Sequence, residues 1–119
     1  MQDFTQLKVW QKAHIFTINL YKLTKNFPSE EKFGLTNQIR RASVSIESNI
    51  SEGCGRNGDR EFSRFLDIAQ GSAYEVKCQI LIARDLGYLE CDKSHILIDK
   101  IDEVSRMINA LNQKLKAKS

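Results

Sequence analysis

Apolar residues recur along most of this chain in alternating steps of three and four, and no stretch alternates in twos over a strand's length. A spacing near 3.5 marks the seam of an α-helix packed in a left-handed bundle, so helices alone are predicted. Val9, Ala13, Phe16, Leu20, Leu23 and Phe27 form the first seam, and the helix that carries it is expected over 5–26. A second set, Leu7, Trp10, Ile18 and Tyr21, clusters about 140° away around the same helix at about 100° per residue. Two apolar faces need two partners: either the helix lies deep between its neighbours, or it turns aromatic residues toward another subunit. Trp and Tyr are enriched at interfaces, which makes these four residues candidate subunit contacts.

Pro28 cannot continue a helix and forces Phe27 out of helical geometry, so the first helix ends there. Ser29 is the expected cap of a second helix over 30–52, with Glu30 and Glu31 in its first turn and Leu35, Ile39, Ala42, Ile46 and Asn49/Ile50 inward. Asn49 reads as a polar core residue that fixes register, and Gly53 as a left-handed C-cap. The turn Gly53–Asp59 is too rich in glycine for helix, yet it lacks the Lys-Ser/Thr ending and the preceding strand of a phosphate-cradling loop. Asp59 is placed to cap a third helix over 60–86, seamed by Phe62, Leu66, Ala69, Ala73, Val76, Ile80 and Ala83. Gly71 in its middle implies a close crossing, since glycine there costs about 1 kcal/mol of helix propensity. Tyr74, Cys78 and Leu81 form a second apolar patch, so Tyr74 and Leu81 join the candidate subunit contacts. Gly87 closes this helix, and a fourth over 93–116 follows with Leu97, Ile101, Val104, Ile108, Leu111 and Leu115 on one seam. The expected architecture is all-α: one domain over 1–119, an antiparallel up-down-up-down four-helix bundle.

Composition narrows the function. No window approaches the run of about 18 apolar residues that a membrane-spanning helix needs, and the N-terminus lacks the plan of a secretion signal, so a cytoplasmic location without a membrane partner is expected. His14 and His95 stand apart without an i, i+4 partner, and no nucleophile motif is present; no metal, no cofactor and no catalytic residue are expected, and hence no enzyme. Cys54, Cys78 and Cys91 lack paired spacing and read as reduced, mostly inert thiols; only Cys54, beside Arg56, invites the reading of a lowered pKa. Net charge is +3, a mild basic bias that permits a polyanion partner without requiring one. Acids interleaved with arginines usually pair with them, and Arg41 with Glu75 is the expected ion pair between helices. Arg40, Arg56, Arg60 and Arg64, extended by Lys8 and Lys12, are the candidate nucleic-acid contacts, because the planar guanidinium suits phosphate. In one subunit such a patch reads equally well as a solvated, salt-bridged face. Repeated around an assembly of copies, it would multiply the field felt by a polyanion.

The run FGLTNQIRRASVSIESNISEG, followed by EFSRFLDIAQGSAYE and RDLGYL, resembles the four-helix-bundle family of rRNA intervening-sequence proteins, which also includes accessory proteins of diversity-generating retroelements. The likeness runs from Leu7 to about Leu111. Its basic, polar and aromatic positions here are Gln38, Arg40, Arg41, Asn49, Glu52, Gly53, Arg56, Phe65, Gly71, Ser72 and Glu75. The resemblance implies a homopentameric ring with a basic surface; the retroelement branch is implicated in binding RNA and a reverse transcriptase. The modest charge of this chain places it nearer the intervening-sequence branch. The expected function is a homo-oligomeric bundle that binds nucleic acid, structured RNA before DNA. The alternative is an adaptor whose oligomer docks a partner protein such as a reverse transcriptase.

Overall fold

The computed structural model describes residues 3–118; the first two residues and the last of the expected domain lie outside them. Among the described residues there are four α-helices and no strand: α1 (Lys8–Thr24), α2 (Leu35–Cys54), α3 (Asp59–Asp85) and α4 (Cys91–Lys118). They pack into a body 45 Å long and 23 by 20 Å across, the length that a helix of 28 residues reaches at about 1.5 Å per residue. Contacts pair early residues of one helix with late residues of the next. His14 meets Glu47, Thr17 meets Ser43, Ser45 meets Ser72, Ser63 meets Asn112, and Lys77 meets Asp102. Leu20, Ile39, Ile50, Leu66, Ala69, Val76, Ile80 and Ile108 are fully buried along these contacts, the residues that the 3.5 spacing places inward.

The helix ends differ from expectation where local chemistry overrides the seam. Asp3 accepts from the Thr5 backbone N–H at 3.0 Å and holds Phe4–Gln6 in a single 3-10 turn; Leu7 is extended, so α1 starts at Lys8 rather than residue 5. Ser29–Glu31 forms another 3-10 turn, and α2 begins only at Leu35. Ser29 does not cap it: the N-cap position is Gly34, and the Glu31 carboxylate accepts from the Leu35 backbone N–H at 3.1 Å. At the other end α2 runs through Gly53 to Cys54, and Gly55 follows in right-handed geometry, so the predicted left-handed C-cap is not there.

Gly53 instead marks a close approach between α2 and α3. A Cβ on it would sit 2.7 Å from Phe65 Cβ and 2.9 Å from Phe62 Cδ1. Gly71, expected to mark such a crossing, is exposed with nothing within 4 Å of where its Cβ would be. The turn between the two helices is made by Gly58, whose φ of 94° belongs to glycine, and Asp59 is the first residue of α3 rather than its cap.

Asn49 is half-buried rather than inside, donating to Ser45 O at 2.8 Å and Ser45 Oγ at 3.0 Å; Ile50 takes the core position. Among the buried polar groups, Thr17 pairs with Ser43, and Ser63 with Asn112, whose amide also donates to Asp67 at 2.7 Å. At the far end, Gly87 and Tyr88 close α3 by returning their N–H groups to Arg84 O and Ala83 O, and the Tyr88 hydroxyl donates to Glu31 at 2.9 Å. No helix among the described residues is long and apolar enough to cross a membrane.

Candidate functional site

The turn between α2 and α3 carries the densest group of arginines, and one buried phenylalanine organises it. Phe65 lies in the second turn of α3 with its ring under two guanidinium groups: Arg56 at 5.1 Å and Arg64 at 5.5 Å from the centroid. Arg56 also pairs with Glu52 at 2.9 Å and Arg64 with Glu61 at 3.2 Å. Both pairs are exposed, and pairs of that kind contribute only about 0–1 kcal/mol, so a phosphate can replace the carboxylate at little cost. Arg60 lies between them in sequence, exposed and without a partner among the described residues. The sequence showed the arginines; it did not show Phe65 as their platform, because residue spacing carries no sign of which ring a guanidinium covers.

The other expected contacts divide. Lys8 shares a groove of about 250 Å³ with Met107, Leu111 and Lys114, between α1 and α4. Asp3, just before α1, lies near enough to Cys54 to influence its thiol, so the start of α1 and the end of α2 meet at one end of the bundle. Lys8 and the arginines of the turn therefore share that end. Lys12 lies farther along, 3.6 Å from Glu103. Arg40 is elsewhere and has another task. Its Nε donates to Thr24 Oγ1 at 2.8 Å, its Nη2 to Tyr21 O at 3.1 Å, and its guanidinium covers the Tyr21 ring at 4.6 Å. It thus satisfies the carbonyl end of α1, where a cation is favoured, and is a tie between helices rather than an open phosphate contact.

Arg41 and Glu75 line the same cavity, about 440 Å³ between α2 and α3, together with Asn37, Gln38, Ala42, Ser45 and Ser72. The expected ion pair between them is not found: Glu75 accepts from Gln79 at 3.2 Å, and Arg41 makes no hydrogen bond or ion pair among the described residues. Exposed arginine and glutamate side chains on adjacent helices gain too little in water to hold one geometry.

The candidate subunit contacts also separate. Tyr74 is 62% exposed, Ile18 44% and Tyr21 38%. Leu7 and Trp10 pack instead against their own core, and Leu81 is half-buried. Trp10 stacks on His14 at 4.8 Å and meets the Phe4 ring edge-on at 5.1 Å. His14 in turn lies 2.8 Å from Glu47, a pair between α1 and α2 that the lone histidine did not announce. Beside it, Ile18, Tyr21 and Val44 line an apolar pocket of about 300 Å³.

Among the described residues no three His, Cys, Asp or Glu side chains gather as a metal site. Cys54 is buried, and burial pushes its thiol above the ordinary range, the reverse of the activation that Arg56 nearby invited; Cys78 and Cys91 are exposed.

Known proteins show the same body. In a crystal structure of a protein of unknown function from the S23 ribosomal protein family of Bacteroides thetaiotaomicron, 88% of this chain and 95% of that one superpose with a TM-score of 0.78 at 23% identity. At that identity the likeness establishes the fold. A comparison with curated proteins found no match. The family described as 23S rRNA-intervening sequence protein matches residues 5–110, nearly the whole bundle and both sides of the arginine-bearing turn, and the chain belongs to that family.

Proposed function

We propose that this protein is a non-enzymatic homo-oligomer that binds structured RNA through the end of the bundle where α2 turns into α3. The reversed pairing of residues between successive helices supports an antiparallel up-down-up-down bundle for the protomer, and the resemblance noted above supports a ring of five copies. The observation that carries the RNA reading is the arrangement of Arg56 and Arg64 on Phe65 with Arg60 exposed between them. Cation–π contact gathers the two guanidinium groups over one ring, and their exposed carboxylate partners can give way to phosphate. The family's tie to an rRNA insertion supports RNA over other polyanions. Contacts of this kind position a duplex or hairpin by shape and phosphate spacing rather than by base sequence. Lys8 extends the surface, and a ring would repeat it around one rim. The protein works in the cytoplasm.

The test is fluorescence anisotropy with a structured RNA at low ionic strength. Arg56→Glu with Arg60→Glu should abolish the signal while helical content and assembly stay as in the wild type. Binding unchanged by the double reversal would refute this surface.

A second reading, an adaptor that docks a protein such as a nucleic-acid enzyme, is favoured by the apolar pocket at Ile18, Tyr21 and Val44. On that reading Ile18→Glu with Tyr21→Glu abolishes function, and the arginine reversals do not.

A further inference from the structure

Where the chain passes from α1 to α2, a pocket of about 330 Å³ gathers three cations and three hydroxyls: Lys25, Lys32 and Arg40 with Thr24, Ser29 and Thr36. Lys25 and Lys32 are exposed and make no ion pair among the described residues. Lys32 only lies over the Phe33 ring, 5.6 Å from its centroid. The acids of the intervening 3-10 turn do not answer them. Glu31 accepts from the Leu35 N–H and the Tyr88 hydroxyl, and Glu30 is exposed and outside the ion pairs of the described residues. Arg40 adds its charge to the wall while its Nε and Nη2 hold Thr24 and the Tyr21 carbonyl. Thr36 is 9% exposed, and its Oγ1 is buried without a hydrogen-bond partner among the described residues. A buried hydroxyl left unpaired is destabilising and calls for a partner that the chain does not supply. Threonine in a helix has two accessible χ1 rotamers, so this hydroxyl can turn toward an incoming acceptor. The Thr36 backbone N–H, in the first turn of α2, has no partner among the described residues either, and a helix start favours an anion.

We infer that this pocket binds a small phosphate anion, free or as a monoester. Phosphate carries up to two negative charges and three or more acceptor oxygens, which matches a set of cations and hydroxyl donors better than the two oxygens and single charge of a carboxylate. Lys25 and Lys32 neutralise the anion, and the Thr36 and Ser29 hydroxyls donate to its oxygens. Pro28, half-buried among the lining residues, offers an apolar surface to the organic part of an ester. The volume is at the small end of ligand pockets, which span about 300–1,000 Å³. Thr36 and Cys54 stand at opposite ends of α2, and the helical rise puts them about 27 Å apart. The site is therefore separate from the arginine-bearing turn and does not depend on the RNA reading.

The experiment is isothermal titration of the full chain, at physiological ionic strength, with inorganic phosphate, adenosine monophosphate and adenosine. Binding of both phosphate probes supports recognition of the free anion, and binding of the monophosphate alone supports recognition of an ester; adenosine should not bind. Lys25→Gln with Lys32→Gln should weaken the affinity at least about tenfold, and Thr36→Val at least about threefold, with helical content and RNA affinity unchanged. Thr36→Ser keeps the hydroxyl and should bind as the wild type does. If Thr36→Val fails to fold, Thr36→Ala tests the same loss. No binding of either phosphate probe at millimolar concentration, adenosine bound as tightly as its monophosphate, or wild-type affinity in the lysine or Thr36→Val variants would overturn the inference. Phosphate binding lost in Arg56→Glu with Arg60→Glu would place the anion on the arginine turn and overturn it too.

Discussion

Arg40 and Arg60 are the same residue type, and burial of their surroundings alone gives them different work. Arg60 is exposed on the first turn of α3, whereas Arg40 ends in two hydrogen bonds at the carbonyl end of α1. Removing Arg40 therefore strikes the fold. Arg40→Ala should destabilise the protein by about 1–2 kcal/mol, the range for a charged hydrogen bond at a partly exposed site, read by urea unfolding, with RNA affinity nearly unchanged. Tyr88 offers a pH test. Its hydroxyl, held by Glu31, keeps its proton above the ordinary 10.0. The folded state then binds that proton more tightly than the unfolded state. The stability it confers is complete below about pH 10 and drains away as pH climbs through the folded value. Melting between pH 9 and 11.5 should show a smaller alkaline loss in Tyr88→Phe than in the wild type; equal slopes would remove the Tyr88–Glu31 bond from the account.

At the scale of the helix, two glycines should respond in opposite directions to the same change. Gly53→Ala drives a methyl into Phe62 and Phe65 at under 3 Å and should destabilise by about 1–3 kcal/mol, the usual range for overpacking. Gly71→Ala meets open space and should stabilise the separate bundle by about 0.5–1 kcal/mol. Urea unfolding at protein concentrations low enough to exclude association measures both. The sequence placed the close crossing at Gly71 and a C-cap at Gly53, whereas the crossing is at Gly53 and Gly71 faces open space; the reason is physical. A glycine near a helix end and a glycine mid-helix are each compatible with cap, crossing or open surface, and only the neighbouring helix decides. The seams were legible throughout, because inward residues such as Leu66, Val76 and Ile80 follow a period that every packed helix shares. The starts of α1 and α2 were not. An aspartate at residue 3 and a glutamate at 31 win the first N–H groups by side-chain hydrogen bonds that periodicity does not register.

At the scale of the whole molecule, the sequence announced surplus apolar surface without saying which part was surplus. Trp10 and Leu7 find their own core, Trp10 through Phe4 and His14, while Tyr74, Ile18 and Tyr21 remain outside. Aromatic contacts across a 3-10 turn are through-space matters that helical wheels do not hold. The candidate site was legible as a charge cluster around the α2–α3 turn and illegible as a geometry, since Phe65 reads as an ordinary core residue until Arg56 and Arg64 are seen on its ring. The chain's net charge of +3 is small for a polyanion binder. What matters for RNA is the local number of phosphates neutralised per assembly, and that number is read directly from salt. The decisive measurement is a titration of affinity for one structured RNA from low to physiological ionic strength. The logarithm of the association constant should fall linearly with the logarithm of salt, by about 0.7–0.9 per phosphate contacted, and the slope should shrink when Arg56 and Arg60 are reversed singly. Affinity that ignores salt, or no binding at the lowest ionic strength, would contradict the account.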